Sequence, residues 1–573
     1  MSAGDGPTRS PTATPPSATP SPDDPPTCPN DLRKFRRNGR PRRHPRATAA
    51  PSCAFSAIHP RACPQNSSAA PRERRRLERP DEIAIAFEGR NYTYAELDSL
   101  HRRFAGWLSD QGVSPGDRVA AFLGNCPEFI IAFLAILRLG AVHVPVNPMF
   151  ASAELTHELR DSDPKLVLTQ EALAPAVEQV QPELNSPIPV LAEADAWQKA
   201  LRHEPYTSDD GDLESLAALN YTGGTTGLPK GCQHSQRHML YTAVSGAAAS
   251  GLDSTPGFTS LCYLPIFWIA GEDLGILFPI VLGGTSVLLR RWDAGAVLDS
   301  IETYGVRIMI GTVENYLELM ERPDIGDRDL ASLVDPQAVS FVRKMTPEVR
   351  ADWAAAAPSS GTLREAAYGM TETHTIDSVP YGFATDDKDL RAEPVFCGLP
   401  VPGTDIAVVE FGTQKPLPLD EVGEIIVRSP SVTDGYWRNP EATKEQLVDG
   451  WVHTGDNGRI DSEGFLHYLG RRKEMIKVKG MSVFPAEIEM LLAQHSEVES
   501  VAVVPAEDLE TGQRPVAFVQ LRSSGTVTAT ELEQWAKENM ATYKVPIVHV
   551  VESLPMTATG KVRKGELLEM VSR

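Results

Sequence analysis

Residues 118–146 read RVAAFLGNCPEFIIAFLAILRLGAVHVPV, and the reading of this stretch decides the fold. Arg118 to Leu123 is a short apolar run of strand length. Pro127 then opens a helix over Glu128–Leu139, because a proline at the first helical position gives up only an N–H that would be unbonded anyway. Ala141 to Val146 is rich in valine and reads as the next strand. Strand, helix and strand in so short a span indicate a parallel α/β sheet. The apolar run Phe129 to Leu137 ends at Arg138, well short of the ~20 residues a bilayer needs, so it is a buried helix.

The same texture extends outward. Glu82 to Phe87 reads as a strand and Gly89-Arg90-Asn91 as a turn. Thr93 is placed to cap a helix from Tyr94 to about Asp110, whose apolar positions Leu97, Leu100, Phe104, Trp107 and Leu108 share one face. Further strands are expected at Thr285–Leu289, Val306–Ile310, Ile406–Val409 and Glu424–Arg428, continuing the α/β pattern past residue 400. Near Gly470 the pattern gives way to the basic run Arg471-Arg472-Lys473. A compact α+β unit follows, with helices over Ala486–Gln494 and Ala529–Asn539 and strands over Val498–Val504 and Pro515–Leu521. The expected organisation is an extension over 1–77, a large domain over 78–470 and a small domain over 471–573.

Composition narrows the classes. The 573 residues carry a formal net charge of -21, which disfavours wrapping nucleic acid or lying on an anionic membrane. The charge is uneven: 15 Lys+Arg against six Asp+Glu give residues 1–80 a charge of +9, and the rest carries −30. That N-terminal stretch also holds 16 of the 47 prolines and reads as a disordered, low-complexity extension. Seven cysteines with no CxxC pair exclude a disulfide scaffold and a zinc ribbon. With no uninterrupted apolar leader, a reducing, cytoplasmic setting is expected.

Four stretches carry chemistry. Thr222-Gly223-Gly224-Thr225-Thr226-Gly227-Leu228-Pro229-Lys230 follows the apolar strand Leu216–Tyr221. Its glycines expose backbone N–H groups, its threonines add hydroxyls and Lys230 adds a cation, which is what a polyphosphate requires. The spacing is not that of a Walker A loop. Tyr368-Gly369-Met370-Thr371-Glu372-Thr373 presents one carboxylate, readable as a Mg²⁺ ligand facing phosphates or as a solvated acid. His453-Thr454-Gly455-Asp456 places an aspartate beyond a glycine turn. Such a group suits a ribose diol, although an Asx turn is the commoner reading of those residues alone. Lys561 lies in the loop Pro555 to Lys564, either as a surface cation or as a charge delivered to a distant site.

In this order and at these separations, the four motifs resemble the adenylate-forming superfamily of acyl-CoA synthetases, adenylation domains and firefly-luciferase-like enzymes. Gly435 to Thr443, and Gly470 to Lys473 leading to Gly480 and Pro485-Ala486-Glu487, agree with it. The resemblance covers roughly Arg79 to the C-terminus and implies ATP-dependent carboxylic acid:CoA ligation. It also implies a large domain of helix-flanked parallel sheets and a small, mobile C-terminal domain. The alternatives are a free-standing adenylation enzyme that loads a carrier-protein thiol, and a nucleotide-binding regulator without catalysis. The substrates implied are ATP, CoA and a small carboxylic acid, with Mg²⁺ as cofactor. No nucleic-acid or membrane-spanning partner is implied, and a homodimer is admitted.

Residue roles follow from the resemblance alone. Thr222, Gly223, Gly224, Thr225, Thr226, Gly227 and Lys230 would hold the β- and γ-phosphates. Tyr368, Gly369 and Met370 would line adenine. Thr371 would bond the α-phosphate and Glu372 would ligate Mg²⁺. Asp456, helped by Arg471, would hold the ribose. Lys473 would be the hinge, Lys561 the lysine bridging carboxylate and α-phosphate, and Gly480 the place where pantetheine passes. Phe267, Trp268 and Phe341 would form the acyl pocket.

The chain departs from the family at three places. Trp268 stands where many members have His: a bulky indole there would shorten or reshape the pocket, with an ordinary buried aromatic the equal alternative. Trp268, Phe341 and Arg343 together suggest a medium-chain, cyclic or aromatic acid, with long-chain acids the alternative. The stretch Ser340-Phe341-Val342-Arg343-Lys344-Met345 replaces a run of very small residues and is expected to reshape the adenine floor and the acyl pocket. Ser482 stands where coumarate-type ligases have Gln.

Overall fold

A computed structural model describes residues 80–222, 229–252, 257–340, 343–384, 386–391, 395–479, 481–556 and 561–571. The extension expected over 1–77 lies outside the described residues.

The opening stretch folds as read. Arg118–Phe122 and Val142–Pro145 are adjacent parallel strands, and Pro127–Arg138 connects them. They belong to a six-stranded sheet, in spatial order Val190–Leu191, Leu166–Thr169, Arg118–Phe122, Val142–Pro145, Leu216–Thr222 and Lys230–Ser235. All neighbours run parallel except the last pair, which is antiparallel. Pro127–Arg138 is apolar on every side and buried on every side, as a helix inside a large core must be. Tyr94–Asp110 packs beside it. Its start is fixed by a reciprocal cap: Glu96 N–H donates to Thr93 Oγ1 at 3.2 Å and Thr93 N–H to Glu96 Oε2 at 2.8 Å.

A second sheet orders Arg364–Glu365, Asp335–Val339, Ile308–Thr312, Thr259–Cys262, Thr285–Leu288, Ile83–Phe87 and Arg90–Thr93. It is parallel apart from the hairpin that joins its last two strands.

The third sheet departs from the parallel pattern expected past residue 400. Asp405–Val409 and Gly423–Arg428 pair antiparallel, and so do Trp451–Ile460 and Leu466–Arg471. The reason lies in the connection. Parallel neighbours need a crossover, usually helical. Residues 410–422 hold two prolines and fold back on themselves, with Glu410 N–H donating to Lys415 C=O at 2.9 Å.

The last sheet orders Met481–Val483, Ile476–Val478, Gly512–Leu521, Val498–Asp508 and, parallel to Gly512–Leu521, Ile547–Val551. Pro485–Leu492 and Ala529–Asn539 cover it around a core of Ile488, Leu492, Val501, Val503, Val519 and Leu532. Pro485–Leu492 also packs on Leu466–Arg471, so this small body rests directly against the third sheet. Among the described residues, no helix is long and apolar enough to cross a membrane.

Candidate active site

The phosphate-loop motif leaves the edge of the first sheet. Thr222 ends its strand directly opposite Lys230. Gly223 to Gly227 lie outside the described residues. His157 Nε2 meets Pro229 C=O at 2.8 Å and braces the loop where it returns. Lys230 Nζ sits 4.0 Å from the centre of the Tyr436 ring, and the Tyr436 hydroxyl donates to Glu372 Oε1 at 2.7 Å. One aromatic ring therefore ties the loop's cation to the carboxylate of the second motif. Tyr436 lies in the stretch Gly435 to Thr443, whose sequence assigns it no role.

The second motif is a tight turn. Thr371–Thr373 is one turn of 3₁₀ helix, and Met370 before it is buried. Gly369 is required by close approach: a Cβ there would lie 2.7 Å from both Ile376 N and Thr375 C. His234, fully buried, donates from Nε2 to Thr371 C=O at 2.8 Å. Burial and the neighbouring His374 hold its pKa well below the usual histidine range, which keeps it neutral.

Tyr368 opens the motif and donates its hydroxyl to Asp456 Oδ2 at 2.7 Å. The local sequence of Asp456 suggests a turn, yet the residue lies inside the strand Trp451–Ile460, next to a register shift at Asn457 and Gly458. Asp456 is 2% exposed. Its Oδ1 faces Arg471 Nε at 3.0 Å, and Arg471 also donates to Thr454 C=O at 3.1 Å. Burial pushes the Asp456 pKa up to about 6, a rise that Arg471 and the Tyr368 hydroxyl only partly offset.

Arg471 leads into the small body through the 3₁₀ turn Arg472–Glu474, where Lys473 lies exposed. Lys561 arrives from the far end of the small body. Desolvation and the Arg471 charge hold its pKa below the usual lysine range, so it shares the electrostatic environment of the Asp456–Arg471 pair. Lys473 is lowered by the same two causes.

Phe267 is buried and Trp268 half-buried, with ring centres 6.2 Å apart in an edge contact. Asn125 fixes the motif that carries them: its side-chain amide donates to Leu264 C=O at 3.0 Å and its oxygen accepts from Ile266 N–H at 2.9 Å. Phe341 and Gly480 lie outside the described residues. Ser482 accepts from Lys477 Nζ at 2.8 Å.

A buried cluster links these segments, and the motif reading missed it. His374 is fully buried, with its two ring nitrogens 3.6 Å from Glu272 and 3.6 Å from Asp273, just beyond Trp268 in sequence. Asn220, two residues before Thr222, donates to Glu272 Oε2 at 3.2 Å. Thr375 donates to Asp273. His374 and Thr375 both hold left-handed backbone, at φ 55° and 58°, a strain found where surroundings over-determine a segment. Burial alone would lower the His374 pKa, but the two carboxylates outweigh it and raise it to about 10. The available signal was the adjacent acidic pair Glu272-Asp273 inside an otherwise apolar run.

Among the described residues, no group of three or more His, Cys, Asp or Glu side chains could hold a metal alone. Glu372 nevertheless fits Mg²⁺, which is usually held by one or two carboxylates together with substrate phosphates.

Comparison with known proteins shows what the chain is similar to. Residues 73–437 match the family profile described as AMP-binding enzyme, and residues 487–561 match the AMP-binding enzyme C-terminal domain. The chain is 30% identical over 488 residues to 4-coumarate–CoA ligase 3 of Oryza sativa subsp. japonica, covering 84% of this chain and 87% of that protein. It is 29% identical to the long-chain-fatty-acid–CoA ligase of Bacillus subtilis (strain 168), over 86% of this chain and 92% of that protein. The crystal structure of ATP-bound MatB from Rhodopseudomonas palustris superposes with a TM-score of 0.76 at 27% identity, covering 86% of this chain and 96% of that one.

Proposed function

Because the chain belongs to the AMP-binding enzyme family and is an ATP-dependent acid:CoA ligase working through an acyl adenylate, we propose that it activates a medium-chain, cyclic or aromatic acid at the site around Tyr368, Glu372, Asp456 and Lys561. The observation that carries this reading is the convergence of segments far apart in sequence. Tyr368 bonds Asp456, Asp456 pairs with Arg471, and Tyr436 joins Glu372 to Lys230.

In the first step a carboxylate oxygen attacks the α-phosphorus of ATP, the bond to the β-phosphate oxygen breaks, and pyrophosphate leaves. Thr222, Lys230 and the intervening loop hold the β- and γ-phosphates. Tyr368, Gly369 and Met370 lie along adenine. Asp456 and Arg471 take the ribose, whose hydroxyls donate to the carboxylate. Thr371 donates to the α-phosphate. Glu372 would hold Mg²⁺, which when bound draws negative charge from the phosphate oxygens. Lys561 spans the substrate carboxylate and the α-phosphate, where negative charge accumulates as the groups meet. In the second step the CoA thiol gives up its proton, its sulfur bonds the acyl carbon, and AMP leaves with the acyl–phosphate electron pair. The small domain turns about Lys473 between the steps and brings Gly480 beside pantetheine.

Trp268 supports the acid class, since its indole occupies space at the acyl motif. ATP–pyrophosphate exchange over 4-coumarate, benzoate, octanoate and palmitate tests it, followed by thioester formation with CoA and with a holo-carrier protein. Exchange led by one of the first three acids, and thioester formed with CoA, are expected. Preference for palmitate would overturn the acid class, and transfer to the carrier protein alone would overturn the acceptor.

A further inference from the structure

The Ser340–Met345 departure reaches beyond the pocket expected there, to the small domain. The Arg343 side chain turns to the small domain, where its Nη2 lies 2.7 Å from Glu499 Oε1 at the start of the strand Val498–Asp508. Ser340 and Arg343 are each bonded into the large domain. Ser340 donates from N–H and Oγ to the two oxygens of Glu365, at 3.0 and 2.6 Å. Met345 N–H donates to Ser340 Oγ at 2.9 Å, and Arg343 N–H to Glu314 Oε1 at 3.0 Å. The guanidinium thus projects from a braced platform, so less of its freedom is lost when it pairs.

Lys344 beside it acts on the same partner body. Its ammonium bonds Ser340 C=O at 3.1 Å, and its charge helps hold Glu489 ionised. Glu489 lies on Pro485–Leu492 and pairs with Lys564 at 2.9 Å. Lys564 also pairs with Glu474 at 3.0 Å, next to the hinge residue Lys473 and three residues from Lys561. Opposite charges therefore run from Lys344 in the large domain through Glu489 and Lys564 to Glu474, next to the hinge residue.

We propose that Arg343, seconded by Lys344, is a positioning residue for adenylation: its pairing with Glu499 docks the small domain in the orientation that presents Lys561 to the ATP site. This rests on the role given to Lys561 above. The docking contact would have to break before the domain turned for thioester formation, so its effect is confined to the first half-reaction.

A charge swap in the full-length chain tests it, with two readouts. One is tryptic cleavage at the exposed Arg471-Arg472-Lys473 connection, identified by fragment mass. The other is the pair of half-reactions, read as ATP–pyrophosphate exchange with 4-coumarate and as thioester formation from synthetic 4-coumaroyl-AMP and CoA. Arg343 and Glu499 are 22% and 29% exposed, between a surface pair and a buried one. Reversing one charge should raise cleavage, and lower exchange, by roughly five- to tenfold. Arg343→Glu and Glu499→Arg should each do so with thioester formation unchanged, and R343E/E499R should return both readouts to within about twofold of the parent. Unchanged cleavage in the single variants, equal loss in both half-reactions, or a double variant as cleavable as the singles would overturn the proposal. Lys561→Ala separates the two readings. If it keeps exchange, the role of Lys561 fails, and the docking contact is still decided by cleavage.

Discussion

On the proposed assignment of Asp456 to the ribose, its burial makes nucleoside recognition depend on pH, in the direction opposite to its effect on stability. Its pKa of about 6 stands some 2 units above the ordinary aspartate value, so keeping it ionised in the free protein costs ~3 kcal/mol. Between about pH 4 and pH 6 the folded chain holds a proton that the unfolded chain has released. The group's contribution to stability is therefore fully present below about pH 4 and is lost as pH rises to 6. Binding runs the other way, because only the carboxylate can accept from both ribose hydroxyls while Tyr368 and Arg471 occupy one site on each oxygen. At pH 5 roughly one molecule in eleven is ionised and at pH 7 roughly ten in eleven, so affinity should rise about tenfold across that interval. Adenosine is the appropriate probe, since it carries the diol and no titrating phosphate. Its Kd, measured by equilibrium binding from pH 5 to 7.5, should fall about tenfold in the parent protein. It should be weaker and flat in Asp456→Asn. A flat profile in the parent, or the same slope in the variant, would refute the assignment of Asp456 to the ribose.

Lys561→Ala should lower ATP–pyrophosphate exchange by roughly 10²–10³-fold, the scale of losing one transition-state charge partner, while thioester formation from supplied acyl adenylate stays within a few-fold. Equal losses in both half-reactions would count against the role. Trp268→Ala should shift kcat/KM toward longer or wider acids by ~1–3 kcal/mol across a chain-length series. An unchanged order of preference in a less stable protein would make the indole a packing residue only. His374→Asn strands two buried carboxylates, Glu272 and Asp273, and should cost ~3–5 kcal/mol of stability in urea titrations, where a loss under 1 kcal/mol would contradict the ion-pair geometry. The raised His374 pKa gives stability that is complete below about pH 6.5 and lost as pH approaches 10. The parent Tm should therefore decline over that range more steeply than that of the variant.

The parts of the fold that were legible are those decided by local chemistry. Pro127 starts its helix because of what proline lacks, and Thr93 with Glu96 closes a cap within four residues. The direction of strand pairing past residue 400 was not legible, because alternation of apolar residues is the same for either direction and only the connection distinguishes them. Asp456 shows the same limit at the site. His-Thr-Gly-Asp has the composition of a turn, and Gly455 does take left-handed backbone at φ 69°, but within a bulge of the strand Trp451–Ile460, where Asp456 pairs with Arg471 and its carboxylate is buried.

Proximity across the chain is what the motifs conceal. Tyr436 stands 64 positions from Glu372, and no spacing rule joins them until two sheets bring the hydroxyl to the carboxylate. His374 adjoins a motif, yet its partners Glu272 and Asp273 come from another, so their meeting is a property of the assembled core. Arg343 carries the argument furthest. From the sequence, a large cation replacing small residues reads as an obstruction in a pocket, because the only neighbours a sequence offers are those nearby in the chain. In the folded protein its partner is Glu499, on a different domain. On the docking proposal, a residue that from the sequence suggests a change of substrate instead sets how one domain is held against another. The two readings part in the half-reactions, since a pocket residue alters which acid is activated and a docking residue alters how fast any acid is.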